Sequence, residues 1–320
     1  MAKIPSPTIN DVARLAGVSK ATVSNVINRK GNVRQTTYDK VMQTCAELNY
    51  SPSFAASNLA KRDTGVFGLF LYDREDTFES NVCHNLMEGL ILASAKQNMQ
   101  MMVYYGVDRH QMHQAISGKG PIDGAIILRP VQNDFRIHEL SQNAIETVLV
   151  GSPFRGENAL RYVDVDNARM MYEITTRLVE MGKRQFLFFN SRADYSVSQD
   201  RSIGFYRALA DLGVDANQSI VVNMMNKDDA MTGVVESFLR THAGEVAILT
   251  VAASACTMLR ACPIVREKHA MLFDFERLTV DYKRMGESAF RLLHSALMGQ
   301  EEPRREIVPY VINYDGLRNE

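Results

Sequence analysis

Residues Thr8–Asn28 read T-I-N-D-V-A-R-L-A-G-V-S-K-A-T-V-S-N-V-I-N and predict two short helices joined by a tight turn. Thr8 and Asp11 have the spacing of a capping box, which marks the start of a helix. Apolar residues at helical spacing follow, and Gly17 can adopt the positive φ that a sharp turn requires. Ser19 is a suitable N-cap for the second helix. The stretch therefore predicts a pair of packed helices.

The second of these helices has one apolar and one polar face. Val23, Val26 and Ile27 repeat at helical spacing and are expected to pack against the first helix. The residues left near its exposed N-terminal part are short or basic, namely Ser19, Lys20, Ala21, Thr22 and Asn25. Side chains of this kind suit a groove lined with base edges and phosphates.

This run resembles the helix-turn-helix of the LacI/GalR family of bacterial transcription regulators. It follows the pattern T-I-x-D-V-A-x-x-A-G-V-S-x-x-T-V-S-x-V-I-N, and the resemblance continues through Val33 and the segment Ala46–Pro52. The resemblance implies three parts. These are a helix-turn-helix DNA-binding domain over residues 1–50, a hinge helix over 51–62, and a two-lobed effector-binding and dimerisation domain over 63–320.

The resemblance also implies roles for individual side chains. Lys20, Ala21 and Asn25 occupy positions that select bases, since Asn makes bidentate contacts to adenine and Ala packs on a thymine methyl group. Residues expected to fix the register on the DNA backbone are Ser19, Thr22, Asn28, Asn32 and Thr37. For each, the alternative is a solvated surface residue. Arg34 stands where relatives often have a capping serine, so we expect the cap of the third helix to shift to Thr36 with Asp39.

Leu59 matches the hinge leucine that this family inserts into the minor groove, where an apolar wedge bends the DNA. The alternative is an ordinary linker residue. The charge distribution agrees with a DNA-binding head: residues 1–62 contain nine Lys or Arg and three Asp or Glu, a net charge of +6. The whole chain has a net charge of −1, so the remainder is acidic. We expect phosphate contact at one end of the chain only.

The remainder alternates short apolar runs with helix-length amphipathic stretches, among them Phe78–Gln97, Asn167–Met181 and Asp200–Leu212. This alternation predicts parallel sheets covered by helices on both faces. The expected fold is an all-α head and an α/β body of two doubly wound parallel-sheet lobes, which the resemblance likens to periplasmic binding proteins. The apolar runs are Val66–Leu71, Met101–Tyr105, Ala125–Leu128, Thr147–Val150, Phe186–Phe189, Ile220–Val222, Ala247–Val251 and Met271–Phe273.

The resemblance places an effector between the lobes, at strand ends. Asp73 and Phe78 lie in the segment that resembles the first strand end, Arg201 begins a match to R-x-x-G-F, and Asp274 ends a match to V-G-F-D. Arginine and aspartate make charge-assisted hydrogen bonds to hydroxyls or carboxylates, so Arg201 and Asp274 are the leading effector contacts. The alternative is that they pair with each other across the closed lobes.

The body also departs from the family pattern. Most relatives have an Asn-Asp pair after the strand that corresponds to Ala247–Val251, whereas this chain reads Val251-Ala252-Ala253-Ser254. A small sugar held by the usual hydrogen bonds is therefore in doubt. Two hypotheses follow: the ligand is different, less polar or bulkier, or the cleft no longer binds an effector.

Three function classes compete. The leading one is a dimeric repressor of a metabolic operon that binds a palindromic operator in double-stranded DNA and responds to a sugar or other metabolite. The second is a sensor or binding protein without direct transcriptional action. An enzyme is not expected, because neither G-x-G-x-x-G after the first strand nor G-x-x-x-x-G-K-[ST] occurs.

We also expect no cofactor and no metal, since the histidines and cysteines follow no ligand spacing. The sequence contains no apolar run that could span a membrane, and its N-terminus lacks the apolar core of a secretory signal. The expected location is therefore the cytoplasm, without a membrane partner.

Overall fold

The computed structural model describes residues 7–27, 33–50, 64–71, 81–116, 122–154, 159–224, 230–242, 244–251 and 253–317. The chain divides into two compact units, Met1–Thr64 and Gly65–Glu320, called the head and the body below. Within the described residues, no helix combines the length and the apolar composition needed to cross a bilayer.

Most α-helices and strands of the body alternate along the chain, as the apolar runs predicted. In chain order the helices are α1 (Ile9–Ala16), α2 (Lys20–Ile27), α3 (Gln35–Glu47), α4 (Asn81–Lys96), α5 (Arg109–Ile116), α6 (Phe135–Gln142), α7 (Asn167–Glu180), α8 (Ser196–Asp211), α9 (Ala230–Thr241), α10 (Ala253–Ala261), α11 (Pro263–Glu267) and α12 (Tyr282–Leu297). The strands are β1 (Val66–Leu71), β2 (Gln100–Tyr105), β3 (Gly124–Leu128), β4 (Glu146–Val150), β5 (Arg161–Asp164), β6 (Gln185–Asn190), β7 (Ser219–Asn223), β8 (Val246–Thr250), β9 (Met271–Asp274), β10 (Leu278–Val280), β11 (Arg305–Ile307) and β12 (Tyr310–Ile312).

The head is built around the turn that the sequence predicted. The backbone N and Oγ1 of Thr8 donate to Asp11 Oδ2 at 2.9 and 2.7 Å, so the capping interaction starts α1. Gly17 has φ +60° and ends the helix, and the Val18 N–H donates to the Ala13 carbonyl at 3.1 Å. Apolar side chains from all three helices, Val12, Val23 and Val41 among them, form one buried cluster.

The body contains two parallel sheets, each of which forms the core of a lobe. The first lobe has the strand order β11-β5-β4-β3-β1-β2, and the second has the order β7-β6-β8-β9. Strands β10 and β12 form a separate antiparallel pair. Helix α12 follows the second lobe in sequence but packs on α4 and on the first sheet, so the chain passes between the lobes more than once.

Helices α7 and α8 of the second lobe cross in close contact. A Cβ atom at Gly204 would lie 2.0 Å from the carbonyl oxygen of Ala168, so this crossing requires glycine. The largest buried cluster includes residues of both sheets, such as Phe67 in β1 and Phe186 in β6. The two lobes therefore share part of their core.

The eight apolar runs each coincide with a strand to within one residue at either end, which confirms the predicted α/β body. Helix α8 begins at Ser196, four residues before the predicted Asp200. The predicted cap of α3 is wrong: the N-cap is Arg34, without a side-chain cap hydrogen bond, and Asp39 instead accepts from Gln35 Nε2 at 2.7 Å. The first turn of α3 therefore lacks the side-chain cap that we expected from Thr36 and Asp39.

Candidate functional site

The exposed face of α2 presents the side chains that the sequence singled out for DNA. Ser19 caps the helix, since its Oγ accepts from the Thr22 N–H at 3.1 Å. Ser19, Lys20, Ala21 and Asn25 are exposed, and Thr22 is half-buried. The opposite face buries Val23 and Val26 in the head core. A rigid three-helix support therefore holds a short polar surface toward solvent.

Thr37 lies in the first turn of α3 and is half-buried. Asn28, Asn32 and Leu59 lie outside the described residues, and so do Asp73 and Phe78. The structure therefore gives the position of six of the predicted head residues and of two predicted effector contacts, Arg201 and Asp274.

The two lobes meet where loops after β3 and β6 touch. The Gln132 N–H donates to the Asp194 carbonyl at 2.8 Å, and Val131 forms an isolated bridge with Tyr195. The Ser196 N–H, at the start of α8, lies 3.4 Å from the Pro130 carbonyl. These contacts bring the carboxyl end of β3 against the N-terminus of α8, where parallel sheets place their ligand sites.

Asp164, at the end of β5, is the centre of a polar network in this region. It is 5% exposed and accepts from the N–H groups of Val165 and Ser152 at 2.7 and 2.8 Å. Asn167 donates to the same carboxylate at 3.0 Å. Burial is the largest cause that raises the pKa of Asp164, to about 7, and nearby Asp200 raises it further.

Asp200 connects this network to α8. Its Oδ2 accepts from the Ser152 hydroxyl at 2.6 Å, and burial raises its pKa. Ser152 follows β4 of the first lobe and Asp200 lies in the second, so this bond joins the two lobes across the cleft. Neither residue was predicted, because no local motif marks a pair separated by 48 positions.

Arg201 lies one residue further along α8 and is half-buried. Its Nε donates to Asn167 Oδ1 at 3.2 Å, and its guanidinium stands 5.0 Å from the ring centroid of Phe275. Burial is the main cause that lowers its pKa. Its Nη1 lies 3.5 Å from the Ser191 hydroxyl, and the charges of Asp164 and Asp200 oppose the burial effect on its pKa, so the side chain has neutral, aromatic and acidic neighbours.

Asp274 ends β9 and is buried. It forms an ion pair with Arg260 at 3.2 Å and caps the following turn by accepting from the Glu276 N–H at 3.1 Å. Among the described residues, Arg201 and Asp274 do not pair with each other: Arg201 contacts the next residue, Phe275, instead. The alternative of a direct Arg201–Asp274 pair is therefore wrong.

A buried arginine shapes the first-lobe side of the cleft. Arg136 is 1% exposed, and its Nε donates to Asp134 Oδ1 at 2.8 Å. It also donates to the carbonyls of Phe70 and Arg129, both at 3.2 Å. Since Phe70 lies near the end of β1 and Arg129 follows β3, this one guanidinium ties together two strand ends. Sequence reasoning missed it because an arginine beside an aspartate is common on protein surfaces.

Comparison with known proteins identifies both units. Residues 8–53 match the profile of the bacterial regulatory proteins of the lacI family, and residues 65–264 match that of the periplasmic binding proteins and sugar-binding domain of the LacI family. The chain belongs to the LacI family of bacterial regulatory proteins.

Two relatives and one solved structure illustrate this membership. The HTH-type transcriptional regulator MalR of Streptococcus pneumoniae serotype 4 (strain ATCC BAA-334 / TIGR4) is 30% identical over 210 residues, which are 63% of this chain and 62% of MalR. The match therefore spans less than two thirds of MalR. Catabolite control protein A of Priestia megaterium is 25% identical over 249 residues, 75% of this chain and 72% of that protein.

The lac repressor dimer bound to operator and the anti-inducer ONPF has the same fold, with a TM-score of 0.78 at 17% identity over 97% of this chain and 98% of that chain.

Proposed function

We propose that this LacI-family chain is a sequence-specific DNA-binding transcription regulator, and that it acts as a dimeric repressor of a metabolic operon. The observation that carries the proposal is the exposed polar face of α2, held on a buried three-helix core. A helix presented in this way enters the major groove with its N-terminal residues toward the bases. MalR is named as a transcriptional regulator, which supports the same conclusion.

The proposed division of labour follows the domains expected from the sequence. Residues 1–50 contact DNA, with Lys20, Ala21 and Asn25 on base edges and Ser19, Thr22, Asn28, Asn32 and Thr37 on the backbone. Residues 51–62 form the hinge, with Leu59 in the minor groove. Residues 63–320 bind the effector and dimerise. The regulator acts in the cytoplasm, where bacterial DNA lies.

An apolar surface on the first lobe supports dimerisation. Strand β2 lies at the edge of the six-stranded sheet, and Met102 and Val103 are both 38% exposed. Ile91 and Leu92 on the adjacent helix α4 are 49% and 41% exposed. An exposed edge strand with apolar side chains is a ready surface for a second chain. Two-fold symmetry would then present two copies of α2 to a palindromic operator.

The polar network between the lobes supports control by a small molecule. Asp164, Ser152, Asn167, Asp200 and Arg201 join the lobes through short hydrogen bonds. A ligand that binds between the lobes competes with or completes these bonds, so it favours one lobe arrangement over another. A ligand shifts such an equilibrium only by its difference in affinity for the two states. We propose that this difference sets operator affinity.

Selection of bound fragments from a random double-stranded DNA library tests the proposal on the intact protein. The expected result is an enriched palindrome, since a dimer places two recognition helices on neighbouring half-sites. Sedimentation of the same sample should give a dimer, and Met102→Glu with Val103→Glu should give a monomer with weaker DNA binding. Absence of any enriched sequence would instead favour a sensor without direct transcriptional action.

A further inference from the structure

Arg129 occupies an unusual position at the mouth of the cleft. It follows β3 with φ +53°, a left-handed conformation that is uncommon for a residue other than glycine. Its N–H donates to Val150 O at 3.0 Å, and Arg136 donates to its carbonyl. The backbone of Arg129 is thus held on both sides, which fixes the direction in which its half-buried side chain leaves the strand end.

The side chain of Arg129 forms no hydrogen bond and no ion pair with any described residue. Three buried carboxylates in the described part of the body already have partners. Asp134 pairs with Arg136, Asp274 pairs with Arg260, and Asp164 accepts from backbone N–H groups. A half-buried guanidinium that has no carboxylate partner within the described ranges is costly unless something else supplies the negative charge.

Arg129 lies beside the N-terminus of α8, the helix that carries Arg201. The Pro130 carbonyl is 3.4 Å from the Ser196 N–H. On the neighbouring strand, Val150 pairs with Leu128, and the hydroxyl of Ser152, two residues further along, donates to Asp200 at 2.6 Å. The charges of Arg201 and Arg129 both lower the pKa of Tyr282, which burial raises. Arg129 follows β3 of the first lobe and Arg201 lies in α8 of the second, so the two arginines belong to opposite sides of the cleft.

The first turn of α8 adds hydrogen-bond donors to this region. The helix begins at Ser196 and runs for 16 residues. The Ser196 hydroxyl is buried, with the residue 4% exposed, and has no hydrogen-bond partner among the described residues. A helix N-terminus of this length favours an anion through its backbone N–H groups and its dipole.

We propose that the cleft binds an anionic metabolite, with a phosphate monoester held between Arg129 and Arg201 at the N-terminus of α8. A phosphate monoester has a charge of about −1.5 to −2 at pH 7, and its oxygens accept bidentate guanidinium hydrogen bonds, so two arginines suit it. The nearby carboxylates of Asp164 and Asp200 already accept hydrogen bonds from Val165 and Ser152. The proposal rests on the proposed function, because it takes the cleft as the effector site. It also accounts for the missing Asn-Asp pair, since an aspartate carboxylate at that position would add negative charge beside a bound phosphate.

Isothermal titration of the intact protein at constant ionic strength tests the proposal, with glucose 6-phosphate, inorganic phosphate and glucose as probes. We expect both phosphate compounds to bind and to compete for one site, and glucose not to bind. Arg129→Gln and Arg201→Gln should each weaken phosphate binding about 10- to 100-fold, the loss typical of a charge-assisted hydrogen bond. The control Arg240→Gln, on the exposed face of α9, should leave it unchanged.

Glucose binding as tight as that of glucose 6-phosphate, or phosphate binding that survives Arg129→Gln, would overturn the proposal. DNA selection with the same preparations separates the two levels of inference. If a palindrome is selected but phosphate binding does not depend on Arg129, the proposed regulator is supported and the proposed anion site is refuted. If phosphate binding depends on Arg129 but no DNA sequence is enriched, the anion site is supported and the proposed regulator is refuted.

Discussion

The recognition helix of the head and the cleft of the body use polar side chains in opposite ways. On α2, Lys20, Ala21 and Asn25 are exposed, close together in sequence, and supported by a core in which they take no part. In the cleft, Arg136 and Asp164 are buried and bonded to residues far away in the chain. A change in the head should therefore alter binding with little loss of stability, whereas a change in the cleft network should cost stability first.

The largest expected effect is at the buried ion pair. Arg136→Met leaves Asp134 charged and unpaired and frees two buried carbonyls, so the free energy of unfolding of the body should fall by about 3–5 kcal/mol. Arg240→Met is the matched control, because that side chain is 72% exposed and should change stability by less than about 0.5 kcal/mol. Urea denaturation followed by circular dichroism measures both, and equal midpoints would contradict a structural role for Arg136.

The next effect is at the crossing of α7 and α8. Gly204→Ala places a methyl group against the Ala168 carbonyl and should destabilise the body by about 1–3 kcal/mol. A Cβ atom at Gly233 in α9 would meet no neighbouring atom within 4 Å, so Gly233→Ala should be neutral or stabilise by up to about 1 kcal/mol. Thermal unfolding separates the two variants, and a stable Gly204→Ala protein would show that the helices move apart easily.

In the head, loss of one polar side chain should change specificity. Asn25→Ala should lower discrimination at one position of each half-site by about 1–3 kcal/mol and leave the fold intact. Lys30 is one of the nine basic residues of segment 1–62, and Lys30→Gln should weaken binding to all sequences alike and reduce the salt dependence by about one phosphate contact. Binding to a set of single-base operator variants measures both effects. Identical sequence profiles for the two variants would refute the division between base and backbone contacts.

The last effect is a pH dependence that belongs to the body and is spread over several pH units. Asp164 has a pKa of about 7 in the folded protein, well above that of an unfolded aspartate, which is about 4. At pH values between about 4 and 7, the folded protein keeps a proton on Asp164 that the unfolded chain releases. The free energy of unfolding therefore falls as the pH rises toward 7 and then levels off. The slope is at most about 1.4 kcal/mol per pH unit. Asp164→Asn should remove it, and parallel profiles for both proteins would count against a protonated Asp164.

Much of the fold could be predicted from the sequence because the signals are local. The turn at Gly17 and the eight apolar runs depend on neighbours within a few residues. Strands β5, β10, β11 and β12 were not predicted, and the last three have only three residues each, too few to show alternation. The start of α8 was placed late because Ser196, Val197 and Ser198 carry no helix pattern of their own, and Ser196 is fixed by contact with the first lobe.

The two candidate sites also differ in how well the sequence predicts them. The polar face of α2 follows from a single stretch of about two helical turns, and the structure exposes most of the residues that the sequence selected. In the cleft, Arg201 and Asp274 came from motifs. Arg129, Asp164, Asp200 and Tyr282 meet through tertiary packing across positions far apart in sequence, and no local pattern marks them.

One measurement tests this division most directly. DNA selection with the intact protein, run with and without a mixture of bacterial metabolites, should be compared for the wild type, Asn25→Ala and Arg201→Gln. We predict that Asn25→Ala changes the selected sequence and keeps the response to metabolites, while Arg201→Gln keeps the sequence and loses the response. If Arg201→Gln altered the selected sequence, or Asn25→Ala abolished the response, recognition and control would not reside in separate units.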